Sequence, residues 1–140
     1  MTYIASLKEI AIAADRKLAA PRMDLDSPFA HSYPRGCCEL VAVHLASVLE
    51  NENPDKEVQI VRAYNRSSDD WHYWVEMGNI VLDLTAHQFE QYQEPLICAK
   101  PSPLEVCFPD IERISTSDAV CAAQFEINPQ LECILAVFKR

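Results

Sequence analysis

The stretch WHYWVEMGNIVLDLT at Trp71–Thr85 decides how this sequence is interpreted. Two runs rich in aromatic and β-branched residues flank the dipeptide Gly78-Asn79. Such a dipeptide favours a two-residue hairpin turn, because both positions tolerate a positive φ. The pattern therefore predicts two antiparallel strands, at residues 71–77 and 80–85, joined directly by this turn.

The turn fixes which side chains share a face of the hairpin, because successive side chains of a strand alternate between faces. The face predicted to join the core holds Tyr73, Val75, Met77, Ile80, Leu82 and Leu84. The other face, polar with one large aromatic, holds His72, Trp74, Glu76, Val81, Asp83 and Thr85. On it, His72 and Asp83 are diagonal neighbours, with backbones roughly 7–8 Å apart. A carboxylate at that distance can hydrogen-bond an imidazole, fix its tautomer and support its charged form.

The same spacing also fits a half-exposed hairpin that carries an incidental surface ion pair between His72 and Asp83. A turn one residue longer would place the two side chains on opposite faces. The hairpin pattern alone leaves both interpretations open.

A thiol is the natural nucleophile to accompany a His–Asp pair. Cys37 and Cys38 open a predicted helix over residues 37–50, after a polar, Pro-rich loop at 21–36. Helix N-termini favour anions, which lowers the pKa of a thiol, and their free amides can hold an oxyanion. Helical spacing aligns Cys38 with a stripe that must pack on the sheet: Val41, Ala42, Leu45 and Leu49. Cys38 is therefore favoured over Cys37, although a Cys in a helix often serves only as a small core residue.

The other histidines fit a catalytic role less well. His44 lies six residues after Cys38, which directs it to a different side of the helix. His31 is interpreted as a solvated loop residue, and His87 as a structural or rim residue. Gln88 follows Asp83 closely and is interpreted as a rim or supporting group.

Three segments resemble the papain-like/transglutaminase-like superfamily of cysteine hydrolases. PRGCCEL at Pro34–Leu40 resembles the turn that delivers the nucleophile at a helix start, and is also similar to a segment of arylamine N-acetyltransferases. WHYWVE at Trp71–Glu76 resembles the His-x-Trp-x-Glu strand of transglutaminase-like proteins. VLDLTAHQF at Val81–Phe89 resembles the Asp-bearing strand of small uncharacterised bacterial members. No upstream Gln matches the oxyanion residue of papain.

The resemblance implies a nucleophile at Cys38, a base at His72 and an orienting acid at Asp83. It also implies an α+β, papain/transglutaminase-like fold, in which N-terminal helices, with the Cys at a helix start, pack on an antiparallel sheet. Elsewhere the pattern predicts a single domain over residues 1–140, with a first helix from a capping box at Ser6 to Pro21. Ile10, Ala14 and Leu18 form its apolar stripe. A strand is predicted at 57–64, and a closing helix or strand after Asn128 buries Leu131, Leu135 and Phe138.

Composition narrows the class of protein. The chain has 140 residues, 49% hydrophobic and 24% charged, with a net charge of −9. An acidic surface repels phosphates and anionic lipid, so neither nucleic acid nor membrane is an expected partner. The N-terminal residues lack a signal-peptide layout, which predicts a cytoplasmic protein with six reduced cysteines. The cysteines form no CxxC pair, so no metal or other cofactor is predicted.

The predicted activity is cysteine-dependent acyl transfer on a peptide, protein or small amide. Release to water would make the protein an amide hydrolase, peptidase or deamidase, and release to an amine an N-acyltransferase or transglutaminase. The alternative from another class is a non-catalytic binding or regulatory protein on the same scaffold, whose acidic surface would suit a basic protein partner. A redox role for the Cys37–Cys38 pair is a third interpretation.

Overall fold

The computed structural model describes residues 3–19, 33, 37–123 and 129–138. Within them the α-helices are α1 (Tyr3–Ala19), α2 (Cys38–Glu52), α3 (Thr116–Ala123) and α4 (Pro129–Leu135). The strands are β1 (Val58–Asn65), β2 (Asp70–Met77), β3 (Ile80–Asp83), β4 (Leu96–Ala99) and β5 (Asp110–Ile114). Short 3₁₀ helices span Ala86–Gln88, Pro103–Val106 and Ala136–Phe138.

The five strands form one sheet in the order β4-β3-β2-β1-β5, and every neighbouring pair is antiparallel. Helix α2 packs on the two central strands β1 and β2, and α1 contacts the edge strand β4. The predicted α+β class, with helices on an antiparallel sheet, is confirmed.

The central hairpin has the register that the sequence predicts. Met77 pairs with Ile80, and Val75 pairs with Leu82. In this turn a positive φ occurs at Gly78 (+57°) and not at Asn79. Because the register is as predicted, the assignment of side chains to the two faces of the hairpin is confirmed.

Both faces of the sheet are buried, which the sequence did not predict. The first face joins the main core with α1, α2 and α4. The 3₁₀ segments after β3 and β4 fold over the second face, where the buried apolar side chains are Val61, Ala63, Trp74, Val81, Ala86, Leu104 and Phe108. The half-exposed hairpin is therefore ruled out, because residues distant in sequence cover the face that carries His72.

The first helix differs from its prediction. It starts at Tyr3, so Ser6 lies inside the helix and the predicted capping box is wrong. Its buried stripe is Leu7, Ala11, Ala14 and Leu18, whereas Ile10 is only partly buried. Ser6–Glu9 has the spacing of a cap, but the apolar contacts of the preceding turn extend the helix past it.

The helix that begins at Cys38 has the predicted stripe. Val41, Ala42, Leu45 and Leu49 are all buried. The closing segment is helical, and Leu131, Leu135 and Phe138 are buried as predicted. The loop predicted at 21–36 lies outside the described residues except for Tyr33, and so do His31, the Pro34-Arg35-Gly36 turn and Asn128. None of the described helices has the length and apolar character that crossing a membrane requires.

Gly78→Ala should lower the free energy of unfolding by about 1 kcal/mol, because an L side chain is strained at positive φ. A Cβ at this position would meet nothing within 4 Å, so the cost is conformational and not steric. Gly78→Asn should cost less, since Asn tolerates this region. Urea unfolding measures both, with Asn79→Ala as the control at the neighbouring turn position. A Gly78→Ala protein as stable as the wild type would contradict the turn geometry.

Candidate active site

His72 and Asp83 meet in the interior, beneath the segments that cover the second face. His72 Nε2 lies 2.7 Å from Asp83 Oδ2, and both side chains are 0% exposed. The other carboxylate oxygen, Oδ1, accepts hydrogen bonds from the Thr85 amide at 3.2 Å and the Thr85 hydroxyl at 3.4 Å. Because both oxygens have donors, the carboxylate is fixed and in turn fixes the orientation of the ring.

Aromatic side chains surround the imidazole of His72. Its ring centroid lies 5.0 Å from that of Phe89 in an edge arrangement, 5.6 Å from Phe108 and 5.9 Å from Trp74. These rings lower the local dielectric, and a low dielectric strengthens the pairing of His72 with Asp83.

The protonation of His72 reflects two opposing effects. Burial alone lowers the pKa of the ring, because it disfavours the charged form. The charge and hydrogen bond of Asp83, together with a hydrogen bond and charge from Cys38, outweigh burial and raise the pKa to about 10. The ring is therefore an imidazolium at neutral pH.

The two neighbouring cysteines have different environments. Cys37 caps α2 and is 4% exposed within the main core. Its burial, followed by the neighbouring Cys38, raises the pKa of its thiol to about 12. Cys38 is the first residue of α2 and is half-buried, and its side chain is one of the groups that raise the pKa of His72. The structure thus pairs His72 with Asp83, places Cys38 where it acts on the pKa of the ring, and leaves Cys37 in the core.

The ladder between β2 and β3 stops short of His72. Helix α2 packs on the face that carries Val75, whereas His72 points to the other face. The β2–β3 ladder ends at the Val75–Leu82 pair, although β2 continues to Asp70. His72 therefore lies beyond the paired part of these two strands.

Gln88 contacts the same ring. Its Nε2 lies 3.4 Å from His72 Nδ1, at the nitrogen that does not face Asp83. Sequence reasoning placed Gln88 near the site only through its proximity to Asp83, and no periodicity predicted the contact.

A second polar network adjoins the end of β3. The Tyr33 hydroxyl lies 2.8 Å from Asp15 Oδ1 and 2.7 Å from the Leu84 carbonyl oxygen. His87 Nε2 lies 2.7 Å from the same Asp15 oxygen, and its ring meets Tyr33 edge-on at 5.4 Å. Burial, followed by the charge of Asp15, raises the pKa of Tyr33. The network ties α1 to the turn after Asp83, which agrees with a structural role for His87.

His44 takes no part in either group. It is buried, and its Nδ1 hydrogen-bonds the Leu40 carbonyl oxygen one turn earlier at 2.8 Å. Burial lowers the pKa of its ring. Its direction away from the site agrees with the helical spacing.

An open groove of about 530 Å³ crosses β1, β2 and β5, and its lining includes Arg62, Tyr64 and Trp71. Trp71 is 46% exposed, and the Arg62 guanidinium lies 4.7 Å above its ring. Tyr73, the strand partner of Arg62, has a pKa raised to about 12, first by burial and then by the charge of Glu39. Nothing in the sequence pattern predicted the groove.

The described residues contain no cluster of three or more His, Cys, Asp or Glu side chains arranged to hold a metal ion. Comparison of the chain with models of known protein families, with curated proteins and with solved structures found no match.

We expect the His72 ring to stay protonated between pH 6.5 and 8.5, because Asp83 and Cys38 outweigh its burial. Asp83→Asn should leave it neutral through this range, because burial then dominates. The native state binds the extra proton, so stability is full below pH 6.5 and falls as pH rises toward 10, by at most about 1.4 kcal/mol per pH unit. Ring NMR shifts and urea unfolding measure the two effects.

Asp15→Asn is the matched control, since it removes an acid from His87 and leaves His72 unchanged. The wild-type His72 signal, assigned with His72→Gln, should show no titration midpoint below pH 8.5. A midpoint near 6.5 in the wild type would show that the carboxylate does not govern the ring.

Proposed function

We propose that the protein is a cysteine-dependent acyl-transfer enzyme with a papain/transglutaminase-like fold. Cys38 is its nucleophile, His72 its acid and base, and Asp83 the residue that orients His72. The single observation that carries the proposal is the fully buried His72–Asp83 pair, whose ring has its pKa raised by Asp83 and by the Cys38 side chain. A cationic ring beside a thiol stabilises the thiolate, which is the nucleophilic form.

The reaction follows from these positions. The Cys38 thiolate attacks the carbonyl carbon of an amide, a C–S bond forms, and the C=O π pair moves onto oxygen. When that pair returns, the C–N bond breaks and His72 gives its proton to the leaving amine. Water then attacks the thioester, His72 takes the proton of the water, and the acid leaves as the thiolate re-forms. An amine in place of water would give acyl transfer.

The substrate class is an amide of a peptide, a protein or a small molecule. Cys38 is half-buried, whereas His72 and Asp83 are fully buried, so a substrate would approach from the thiol side. Placing a nucleophile at a helix start with its base and acid on neighbouring strands is what supports the papain/transglutaminase-like fold.

Iodoacetamide at pH 6.5 should alkylate Cys38 at least about 10-fold faster than free cysteine, because the proposed nucleophile lies at a helix start and acts on a buried imidazolium. Cys37 should react slower than free cysteine, because it is buried and its thiol is hard to ionise. His72→Gln should remove the advantage of Cys38. Peptide mass spectrometry after timed quenching gives each rate.

His87→Asn is the control for His72→Gln, because His87 pairs with Asp15 and not with Asp83. Urea unfolding confirms that each variant folds. If Cys38 reacts no faster than free cysteine, and His72→Gln leaves its rate unchanged, the enzyme proposal is wrong and a binding role on the same scaffold takes its place.

A further inference from the structure

The last residue of β3 and the 3₁₀ helix that follows it direct two side chains at one ring. Asp83 Oδ2 lies 2.7 Å from His72 Nε2, and Gln88 Nε2 lies 3.4 Å from His72 Nδ1. Asp83 accounts for Nε2, so Nδ1 is the ring nitrogen left to exchange a proton with Cys38 in the proposed reaction. The Gln88 carboxamide contacts that nitrogen, where the proposed attack on a substrate carbonyl would take place.

The hydrogen-bond capacity of these groups leaves a donor unused. An imidazolium has two N–H donors and no acceptor, whereas the Gln88 amide nitrogen carries two N–H donors. When His72 is charged, the Gln88 side-chain amide cannot donate to the ring. When Nδ1 is unprotonated, that nitrogen accepts only one of the two amide hydrogens. Among the described residues, the Gln88 side chain has no other hydrogen-bond partner. At least one N–H is thus free at the site in every state of the ring.

Gln88 is held on a rigid support. Gln88 ends the 3₁₀ helix Ala86–Gln88, and its backbone N–H donates to the Thr85 carbonyl oxygen at 3.1 Å. Ala86 is 0% exposed, and the backbone N–H of Thr85 donates a hydrogen bond to the Asp83 carboxylate. Tyr33 holds the carbonyl of Leu84 in the same turn. A donor fixed before the reaction needs little reorganisation when charge develops, and this is what transition-state stabilisation requires.

Gln88 is the side-chain amide that the described structure brings to His72. We propose that Gln88 is a further catalytic residue, whose carboxamide N–H donates to the oxyanion formed when Cys38 attacks a carbonyl. The inference rests on the proposed function. The donated hydrogen bond holds the oxygen while it carries the π pair and is released when the carbonyl re-forms.

Two reagents that react with the Cys38 thiol distinguish an oxyanion donor from a residue that only positions His72. Iodoacetamide reacts by displacement at a saturated carbon and forms no oxyanion, whereas p-nitrophenyl acetate acylates through a tetrahedral oxyanion. The full chain and its Gln88→Ala and Gln88→Glu variants are treated with each probe. Mass spectrometry follows Cys38, and Cys38→Ser gives the background release of p-nitrophenolate. Gln93→Ala, at an exposed position of the following turn, is the matched control.

Gln88→Ala should slow acylation of Cys38 about 100-fold, the usual effect of losing an oxyanion donor, and change its alkylation by less than about 3-fold. Gln88→Glu should slow acylation at least as much, since it replaces the donor with a negative charge. Gln93→Ala should leave both rates at the wild-type value.

If the alkylation rate and the acylation rate of Cys38 fall by the same factor in Gln88→Ala, Gln88 only positions the His72 ring and the oxyanion role is overturned. Unchanged acylation in Gln88→Ala also overturns it. If wild-type Cys38 reacts with neither probe faster than free cysteine, the proposed function itself fails and this inference falls with it. Fast wild-type alkylation with a Gln88-independent acylation rate would instead retain the proposed function and reject Gln88 alone.

Discussion

The hydrogen bond between His72 and Asp83 inside an apolar cluster is the constraint on which the rest of the structure depends. Burying two ionisable groups costs several kcal/mol per ion, and well-packed apolar residues would often be as stable. Removing one partner is worse, because the other is left as an unpaired buried charge. Stability alone therefore does not account for this pair. The proposed acyl transfer would account for it, because that reaction uses a fixed imidazole that can hold and release a proton.

Glu76, another buried acid on the same face, has the partners expected of a purely structural ion pair. Glu76 accepts from Arg113 Nε at 2.7 Å and pairs with Lys100 Nζ at 3.3 Å. Burial opposes ionisation of Glu76, but these cations outweigh it and lower the pKa of the carboxyl. Its partners stay charged at physiological pH. Asp83 has a titratable partner instead, so its pair can move a proton and the Glu76 cluster cannot.

The two adjacent thiols show how a helix start separates chemical roles. Consecutive helical residues point about 100° apart. Cys37, the N-cap of α2, lies in the main core, whereas Cys38, the first helical residue, acts on the pKa of His72.

The sequence by itself determined the hairpin at Gly78, the shared face of His72 and Asp83, and the helix that begins at Cys38. These features follow from turn chemistry and from the periods of 2 and 3.6 residues, which are local properties. Only the tertiary structure decided that the second face is buried, that Gln88 reaches Nδ1, and that Tyr33, Asp15 and His87 meet. Each of these depends on segments far apart in sequence, whose packing no local period encodes. The local sequence pattern therefore predicted the residues of the candidate triad. Non-local packing decided how deeply they are buried, how they are charged and which side chains surround them.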